Sequence, residues 1–184
     1  MIFRRALDVL VGGIGSVLTA PLVALLALAI RLETPGSPIY AQTRVGKDGR
    51  PFEIYKLRTM VDGAEFTGAG LAINHGDLRI TRVGRFLRRY SLDELPNLWN
   101  VLRGDMSVIG PRPTIQQQVD AYTERQRGRL AVKPGITGWA QIHGRTSLPW
   151  PERIELDLWY VEHSSLAVDL KILARTIRLV ASGA

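Results

Sequence analysis

The sequence contains no cysteine and only three histidines. Without thiols, the chain can form no disulfide scaffold, thiolate zinc site, iron–sulfur cluster or cysteine nucleophile. His75, His143 and His163 lie far apart and lack the spacing of metal ligands, so no histidine metal site is predicted. The chain also lacks a P-loop, and no glycine-rich dinucleotide fingerprint follows a predicted strand.

Acidic residues are outnumbered, because 24 Lys and Arg face 17 Asp and Glu and give a formal charge of +7. Lysine is itself scarce, so arginine carries most of the positive charge. Its planar fork of donors matches phosphate oxygens. The charge predicts an anionic partner, which is a phosphate compound, a nucleic acid or an acidic membrane surface. The length of 184 residues predicts one compact domain with a short additional segment.

Residues 6–30 are almost entirely apolar, with Asp8 as their one charge. As a straight helix they would extend about 37 Å, more than the roughly 30 Å of a membrane core. Pro21 interrupts the segment and removes a backbone donor. Basic residues flank both ends, so the charge asymmetry of a spanning helix is missing. Two interpretations remain open: a re-entrant hairpin broken at Pro21, with both ends cytosolic, or a kinked spanning helix.

The rest of the chain predicts an α+β fold that is mainly helical, with a small sheet. Ile39–Thr43 and Phe52–Met60 have the pattern of two strands in a hairpin, on which Lys56 and Arg58 share one face. That pair is either a phosphate grip or part of a solvated face. The pattern predicts helices over residues 79–90, 114–130, 151–163 and 166–181. Residues 79–90 form a basic amphipathic segment, which suits a membrane surface, a nucleic acid or plain solvent.

The segment from Ser91 to Arg103 has an apolar stripe typical of a helix, and Asp93 and Glu94 lie at its start. One interpretation is a capping box, with the Ser91 side chain at the N-cap and Glu94 at the third helical position. The other is chemical. A carboxylate among arginines is a plausible magnesium ligand or a nucleophile toward phosphorus. The residues alone leave both interpretations open.

Three long motifs occur in order: YKLRTM at 55–60, SLDELPNLWNVLRGDMSVIGPRP at 91–113 and KPGITGWAQIHGR at 133–145. On these motifs the chain resembles the bacterial sugar transferase family, the monotopic polyprenyl-phosphate phosphoglycosyl transferases, in their minimal single-domain form. The resemblance implies transfer of a phospho-sugar from a UDP-sugar to a polyprenyl phosphate such as undecaprenyl phosphate. UMP is released, and membrane glycoconjugate assembly begins.

The same resemblance implies roles for individual residues. Asp93 is expected to form a covalent phospho-sugar intermediate, with Glu94 as the second member of the catalytic pair and Mg²⁺ bound near Asp93. The positions that match the family's substrate- and phosphate-binding residues are Lys56, Arg58, Arg88, Arg112, Arg145 and Asp157.

The resemblance also implies an organisation in two parts. Residues 1–32 are expected to form a re-entrant membrane helix broken at Pro21, although Ala20 replaces the serine that precedes this proline in the family. Residues 33–184 are expected to form a catalytic domain with interfacial amphipathic helices, on the cytosolic face of the bacterial inner membrane against its anionic leaflet. No nucleic-acid partner is expected, and a homo-oligomer stays open. The competing hypotheses are a membrane-tethered nucleic-acid-binding protein and a membrane scaffold.

Overall fold

The computed structural model describes residues 2–67, 76–144 and 148–182. Within them the fold is mainly helical with little sheet, as the sequence predicts. The helices are, in chain order, α1 (Ile2–Glu33), α2 (Arg82–Arg89), α3 (Asn97–Arg103), α4 (Gln116–Asp120), α5 (Glu124–Arg127), α6 (Trp139–Ile142), α7 (Trp150–His163) and α8 (Leu166–Ser182). The strands are β1 (Ile39–Val45), β2 (Pro51–Leu57), β3 (Ser107–Ile109) and β4 (Gly135–Thr137).

Helix α1 runs without interruption through Pro21, so the two-armed hairpin broken at this proline is not confirmed. One face of α1, from Asp8 through Gly12 to Ile30, contacts the rest of the protein at helical spacing. The opposite face is apolar and exposed, and Val17 and Leu18 are each 74% accessible. Among the described helices, α1 is the one long and apolar enough to cross a membrane.

Both ends of α1 contact the same domain. Near its start, Arg5 donates hydrogen bonds to the carbonyl oxygens of Val101 and Leu102 at the end of α3, each at 2.8 Å. Gly12 allows this close approach, because a Cβ there would lie 2.8 Å from the backbone nitrogen of Leu102. Near its other end, Ile30 is buried in one apolar cluster with Leu57 and Leu87. The helix therefore lies against the domain at both of its ends.

The predicted hairpin is confirmed as the antiparallel pair β1–β2, in which Ile39 faces Leu57 and Val45 faces Pro51. The second strand ends at Leu57, three residues earlier than predicted, so Arg58 lies beyond it. Strands β3 and β4 form a separate parallel pair. Strand β2 packs against the turn that contains Asp93 and Glu94.

The predicted helices at 79–90, 151–163 and 166–181 are confirmed as α2, α7 and α8 within a few residues at each end. The single helix predicted over 114–130 is wrong, because α4 and α5 are separate helices. Thr123 begins α5 with its own capping box, in which its hydroxyl accepts from the Gln126 amide and the Gln126 side chain accepts from the Thr123 amide. This local cap starts a new helix where the polar pattern suggests continuity.

Candidate active site

Of the two interpretations of the Asp93–Glu94 segment, the capping box at Ser91 is wrong. Ser91 has the left-handed conformation, with φ of 54°, and its side chain caps no amide. Residues Leu92–Glu94 form a single 3₁₀ turn, and α3 begins only after Pro96. A left-handed non-glycine residue is unfavourable for the backbone and is often found at functional sites. The turn releases both carboxylates from helix capping and makes them available for other partners.

Glu94 is held by two cations. Its Oε1 atom accepts hydrogen bonds from Lys56 Nζ and Arg112 Nη2, each at 2.8 Å. Burial opposes ionisation of this carboxyl, but the charges of Arg112 and Lys56 outweigh burial and lower its pKa to about 2. Burial in turn lowers the pKa of Lys56, against the attraction of Glu94. Glu94 is therefore a fixed anion that ties strand β2 to the turn after β3.

Asp93 has the opposite setting. Within the described residues its carboxylate makes no hydrogen bond and no ion pair, although the protein partly buries it. Burial, and then the charge of Glu94, raise the pKa of Asp93, while Lys56, Arg88 and Arg112 act to lower it. The two adjacent carboxylates thus divide the work: Glu94 organises the cations, and Asp93 keeps its oxygens available.

Arg88 reaches the site from α2 and is oriented by Thr59. Its Nε donates to Thr59 Oγ1 at 2.8 Å. The helix packs directly on this residue, because a Cβ at Gly84 would lie 1.9 Å from the Thr59 carbonyl oxygen. The sequence analysis missed Thr59. The signal was its place in YKLRTM, between the strand and the loop that leads to α2.

Arg58 and Lys56 do not form a common phosphate-binding site. It is buried, and its guanidinium donates to the carbonyl oxygens of Pro35 and Thr34 at 2.6 and 2.9 Å, just after α1. This binding mode ties the end of α1 to the hairpin, and it gives no support to the predicted phosphate-binding role. Arg145 lies outside the described residues.

Asp157 lies behind the site rather than in it. It is 1% exposed, and its Oδ2 accepts from Arg129 Nε at 2.7 Å. The same guanidinium donates to the Tyr122 hydroxyl at 2.8 Å and to the Arg112 carbonyl oxygen at 2.7 Å. Asp157 therefore supports Arg112 through Arg129. The sequence analysis missed Arg129, although an aspartate between the core residues Ile154 and Leu158 on α7 signals a buried basic partner.

Arg44 is a further cation that the sequence analysis missed. It lies on β1, where its guanidinium bonds the Gln42 side chain, and its charge interacts with those of Arg112 and Glu94. The described part of the site therefore holds more cations than anions, namely Lys56, Arg44, Arg88 and Arg112 against Asp93 and Glu94. An excess of positive charge beside an unpartnered carboxylate suits a substrate that carries several phosphate oxygens.

A sequence model of the family described as "Bacterial sugar transferase" matches residues 1–183. The chain belongs to the bacterial sugar transferase family. As members of this family, the chain and an uncharacterized sugar transferase of Bacillus subtilis (strain 168), EpsL, are 44% identical over 98% of the chain and 88% of the relative.

Two further relatives have more specific names. Each is called a UDP-glucose:undecaprenyl-phosphate glucose-1-phosphate transferase. The one from Caulobacter vibrioides is 46% identical over 95% of this chain and 68% of its own length. The one from Escherichia coli (strain K12) is 40% identical over 96% of this chain and 39% of its own length. This sugar transferase chain thus matches only part of some longer relatives.

A divalent cation fits this transferase site in one way. Among the described residues, no group of three or more His, Asp or Glu side chains could hold a metal. Mg²⁺, however, is commonly held by one or two carboxylates together with substrate phosphates and water. Asp93 offers such a carboxylate, because no described side chain occupies its oxygens. The residues therefore fit a magnesium ion that arrives with a diphosphate, and they do not form an all-protein cage.

Proposed function

We propose that this protein transfers a sugar phosphate from a UDP-sugar to a polyprenyl phosphate, such as undecaprenyl phosphate, and releases UMP. The relatives named as undecaprenyl-phosphate transferases support this general reaction. The observation that carries the proposal is the unpartnered Asp93 carboxylate beside Glu94, whose own charge Lys56 and Arg112 already balance. The product would begin assembly of a membrane glycoconjugate.

The reaction runs in two displacements at one phosphorus atom. An Asp93 carboxylate oxygen attacks the sugar-bearing phosphorus, and the bond from this phosphorus to the bridging oxygen breaks. UMP leaves with that oxygen and its electron pair, and the sugar phosphate stays on Asp93 as an acyl phosphate. An oxygen of the polyprenyl phosphate then attacks the same phosphorus. The acyl–phosphate bond breaks, which returns the Asp93 carboxylate and forms the polyprenyl-diphosphate sugar.

The basic side chains stabilise the charge that moves during both steps. Arg112 and Arg88 offer guanidinium donors near Asp93, and preorganised donors of this kind are worth most in a site shielded from water. Mg²⁺ held by Asp93 and the diphosphate would screen the phosphate oxygens and stabilise the leaving UMP. The raised pKa of Asp93 reflects a poorly solvated carboxylate, and weak solvation favours attack on phosphorus.

We further propose that α1 enters the cytosolic leaflet of the bacterial inner membrane and does not cross it. A spanning helix would carry one end about 30 Å away from a domain on the other side. In this chain Arg5 and Ile30, near opposite ends of α1, both contact the same domain. The exposed apolar face of α1 then faces lipid. Helix α8 exposes Leu166, Leu170 and Ile177 beside basic residues, which suits an anionic interface.

The decisive experiment measures UMP release by the full chain in detergent, with Mg²⁺, undecaprenyl phosphate and a panel of UDP-sugars supplied singly. We expect one or a few donors to give UMP. We expect Asp93→Asn to reduce release at least about 10³-fold, as loss of a nucleophile does. Without the lipid acceptor, the wild-type protein should release at most one UMP per chain and gain the mass of the sugar phosphate.

Asp120→Asn is the matched control, because Asp120 is an exposed aspartate on α4 that bonds only Gln116 among the described residues. It should keep wild-type activity. The Asp93→Asn protein should be at least as stable as wild type, since the substitution removes a carboxylate that burial and Glu94 disfavour. Near-normal release by folded Asp93→Asn protein would exclude the covalent mechanism. Silence with every donor, from folded wild-type protein, would argue against the transferase reaction itself.

A further inference from the structure

We infer that α1 is a positioning element of the active site as well as a membrane helix, and that Asp8 is its principal positioning residue. The inference rests on the proposed transferase function. It assigns to the one acidic residue of the apolar segment a role in setting the position of Arg112, with which it has no direct contact.

Asp8 is directed into the domain and not into lipid. It is 5% exposed, and its Oδ1 accepts from the Ser107 hydroxyl and from the Val108 backbone N–H, each at 2.9 Å. It is the seventh residue of α1, so it lies beyond the first turn, where an acid would serve the helix dipole. A carboxylate in an apolar membrane helix is expensive to keep, so its presence indicates a specific partner.

That partner is the free edge of strand β3. On its other edge β3 is paired with β4 and its flanking residues, where the Ser107 amide bonds the Pro134 carbonyl and the Gly110 amide bonds the Thr137 carbonyl. The Val108 amide points away from β4, and Asp8 supplies the acceptor that a third strand would have provided. An unsatisfied buried amide costs about 1–3 kcal/mol, so Asp8 fixes this edge of the strand.

Strand β3 leads directly to Arg112. Only Gly110 and Pro111 separate its last residue from the arginine that bonds Glu94. Because proline restricts the backbone and Gly110 packs tightly against Lys133 and Gly135, a shift of β3 is passed on to Arg112 with little absorption by the turn. The contact between Asp8 and Val108 therefore sets where the guanidinium lies relative to Glu94.

Two other charged residues of α1 act in the same sense on the other segments of the site. Arg5 bonds the last carbonyls of α3, the helix that follows the Asp93–Glu94 turn. Glu33 accepts from the Arg82 and Val83 amides at 2.7 and 3.1 Å, which caps the start of α2. Helix α2 carries Arg88 and has no acid in its own first turn. Three of the segments around Asp93, namely β3, α3 and α2, are thus tied to α1 by polar contacts.

The test compares Asp8→Leu, which keeps α1 apolar and removes the acceptor, with Asp8→Asn, which keeps an acceptor oxygen and removes the charge. Both are made in the full chain and assayed for UMP release. We expect Asp8→Leu to lower kcat about tenfold at unchanged vesicle binding, and Asp8→Asn to restore it to within about threefold. In a double-mutant cycle, Asp8→Leu should lower kcat little further in the Arg112→Ala protein, because both substitutions act through the contact between Arg112 and Glu94.

Asp169→Leu is the matched control. Asp169 is also buried, pairs with Arg4 of α1 at 2.9 Å, and accepts from the Tyr160 hydroxyl, but it lies on α8, which supplies no described contact to Asp93 or Glu94. It should lower the melting temperature without lowering kcat per folded molecule. Fully additive effects of Asp8→Leu and Arg112→Ala, or an unchanged kcat in Asp8→Leu, would overturn the inference. If the leucine variant does not fold, Asp8→Ala replaces it in every measurement.

Hydrogen exchange separates this inference from the proposed function, because it needs no turnover. Amides in residues 107–112 should exchange faster in Asp8→Leu than in wild type, while those of the β1–β2 hairpin should keep their protection. Equal protection of residues 107–112 in the two proteins would refute the positioning role even if UMP release is never observed. Faster exchange there, with no UMP release by wild type, would uphold the contact and count against the transferase reaction alone.

Discussion

Two clusters of charged side chains meet at Arg112, and they differ in how their charges are balanced. The buried cluster pairs one anion, Asp157, with one cation, Arg129. The Arg129 guanidinium also donates to the Tyr122 hydroxyl and to the Arg112 carbonyl oxygen. The other cluster surrounds Asp93 and Glu94 with a larger number of cations, and the Asp93 carboxylate makes no described hydrogen bond. In the first cluster the two charges are paired within the protein, although Asp157 Oδ1 has no described hydrogen-bond partner, and in the second cluster the cations are in excess.

This difference separates a supporting network from a binding site. A buried ion pair whose charges match fixes the positions of its neighbours and has few donors left for a ligand. A cluster with surplus cations and an unpartnered carboxylate is costly until an anion joins it. In this protein the two types share the residue Arg112, whose carbonyl belongs to the first cluster and whose guanidinium belongs to the second. Substitutions in the two clusters should therefore act on different observables.

The largest effect on stability is expected from Asp157→Asn. Burial raises the pKa of Asp157 even though Arg129 lowers it, so the pair itself adds little stability, but breaking it leaves the Arg129 charge buried without a counter-ion. Loss of one partner of a buried pair typically costs about 3–5 kcal/mol of unfolding free energy. We expect about 3 kcal/mol here, since the amide oxygen still accepts from Arg129. Denaturant unfolding of the purified protein in detergent measures it.

Glu155→Gln is the control for this prediction. Glu155 lies on the same helix, α7, and pairs with Arg125 at 2.9 Å, but both side chains are more than half exposed. Exposed pairs contribute about 0–1 kcal/mol, so this substitution should change stability little. Similar losses in the two variants would show that the Asp157–Arg129 pair is not the supporting network described above.

How much of this architecture follows from the sequence differs between the clusters. The hairpin β1–β2 and the helices α2, α7 and α8 follow from local periodicity, which reports which face of an element is buried. The Asp93–Glu94 pair follows from the motif that contains it. The network of Asp157, Arg129 and Tyr122 joins residues on separate elements. Only the packing of α7 against residues Gly128–Ala131 brings them together. No local pattern contains that information.

The capping-box interpretation of Ser91 is wrong for a related reason. The spacing of Ser91 and Glu94 fits a capping box, but partners far along the chain, Lys56 and Arg112, compete for the Glu94 carboxylate. Two charged hydrogen bonds are stronger than one bond to a backbone amide. The sequence does not indicate this competition, and it does not predict the left-handed Ser91. The predicted placement of Lys56 and Arg58 on one face of a strand is wrong, because β2 ends at Leu57, between them.

The next effect, on turnover, is expected from Arg112→Ala. Removing this guanidinium deletes one of the two cations that hold Glu94 and one of those that act on Asp93. Loss of a single charged donor at a transition state typically lowers the rate about 10²–10³-fold, and we expect about 10²-fold in kcat/KM for UMP release. Stability should fall by less than in Asp157→Asn, because the Arg112 side chain is half exposed and Lys56 still pairs with Glu94.

The control for Arg112 is Arg103→Ala, which removes an arginine that is half exposed and pairs only loosely with Asp105, at 3.4 Å. It should keep wild-type kcat/KM. If Arg112→Ala instead destabilised the protein as much as Asp157→Asn and left turnover per folded molecule unchanged, the guanidinium would belong to the supporting network, and the contrast between the clusters would fail.

The smallest expected effect is a shift in pH dependence, and it tests whether Asp93 and Glu94 have the different roles proposed above. In the proposed mechanism Asp93 must be ionised to attack, so kcat/KM should rise as pH rises through the pKa of Asp93, which burial and Glu94 raise above the ordinary aspartate value. Glu94, with a pKa of about 2, stays ionised throughout this range and contributes no limb of its own. Glu94→Gln removes the second cause of the shift and frees Lys56 and Arg112 to attract Asp93. The acid limb should therefore move to lower pH, while Glu155→Gln, which removes an exposed carboxylate paired with Arg125, leaves it in place. An acid limb at unchanged pH in Glu94→Gln would mean that the charge of Glu94 does not act on Asp93. An acid limb at higher pH would mean that Glu94 mainly holds the cations close to Asp93.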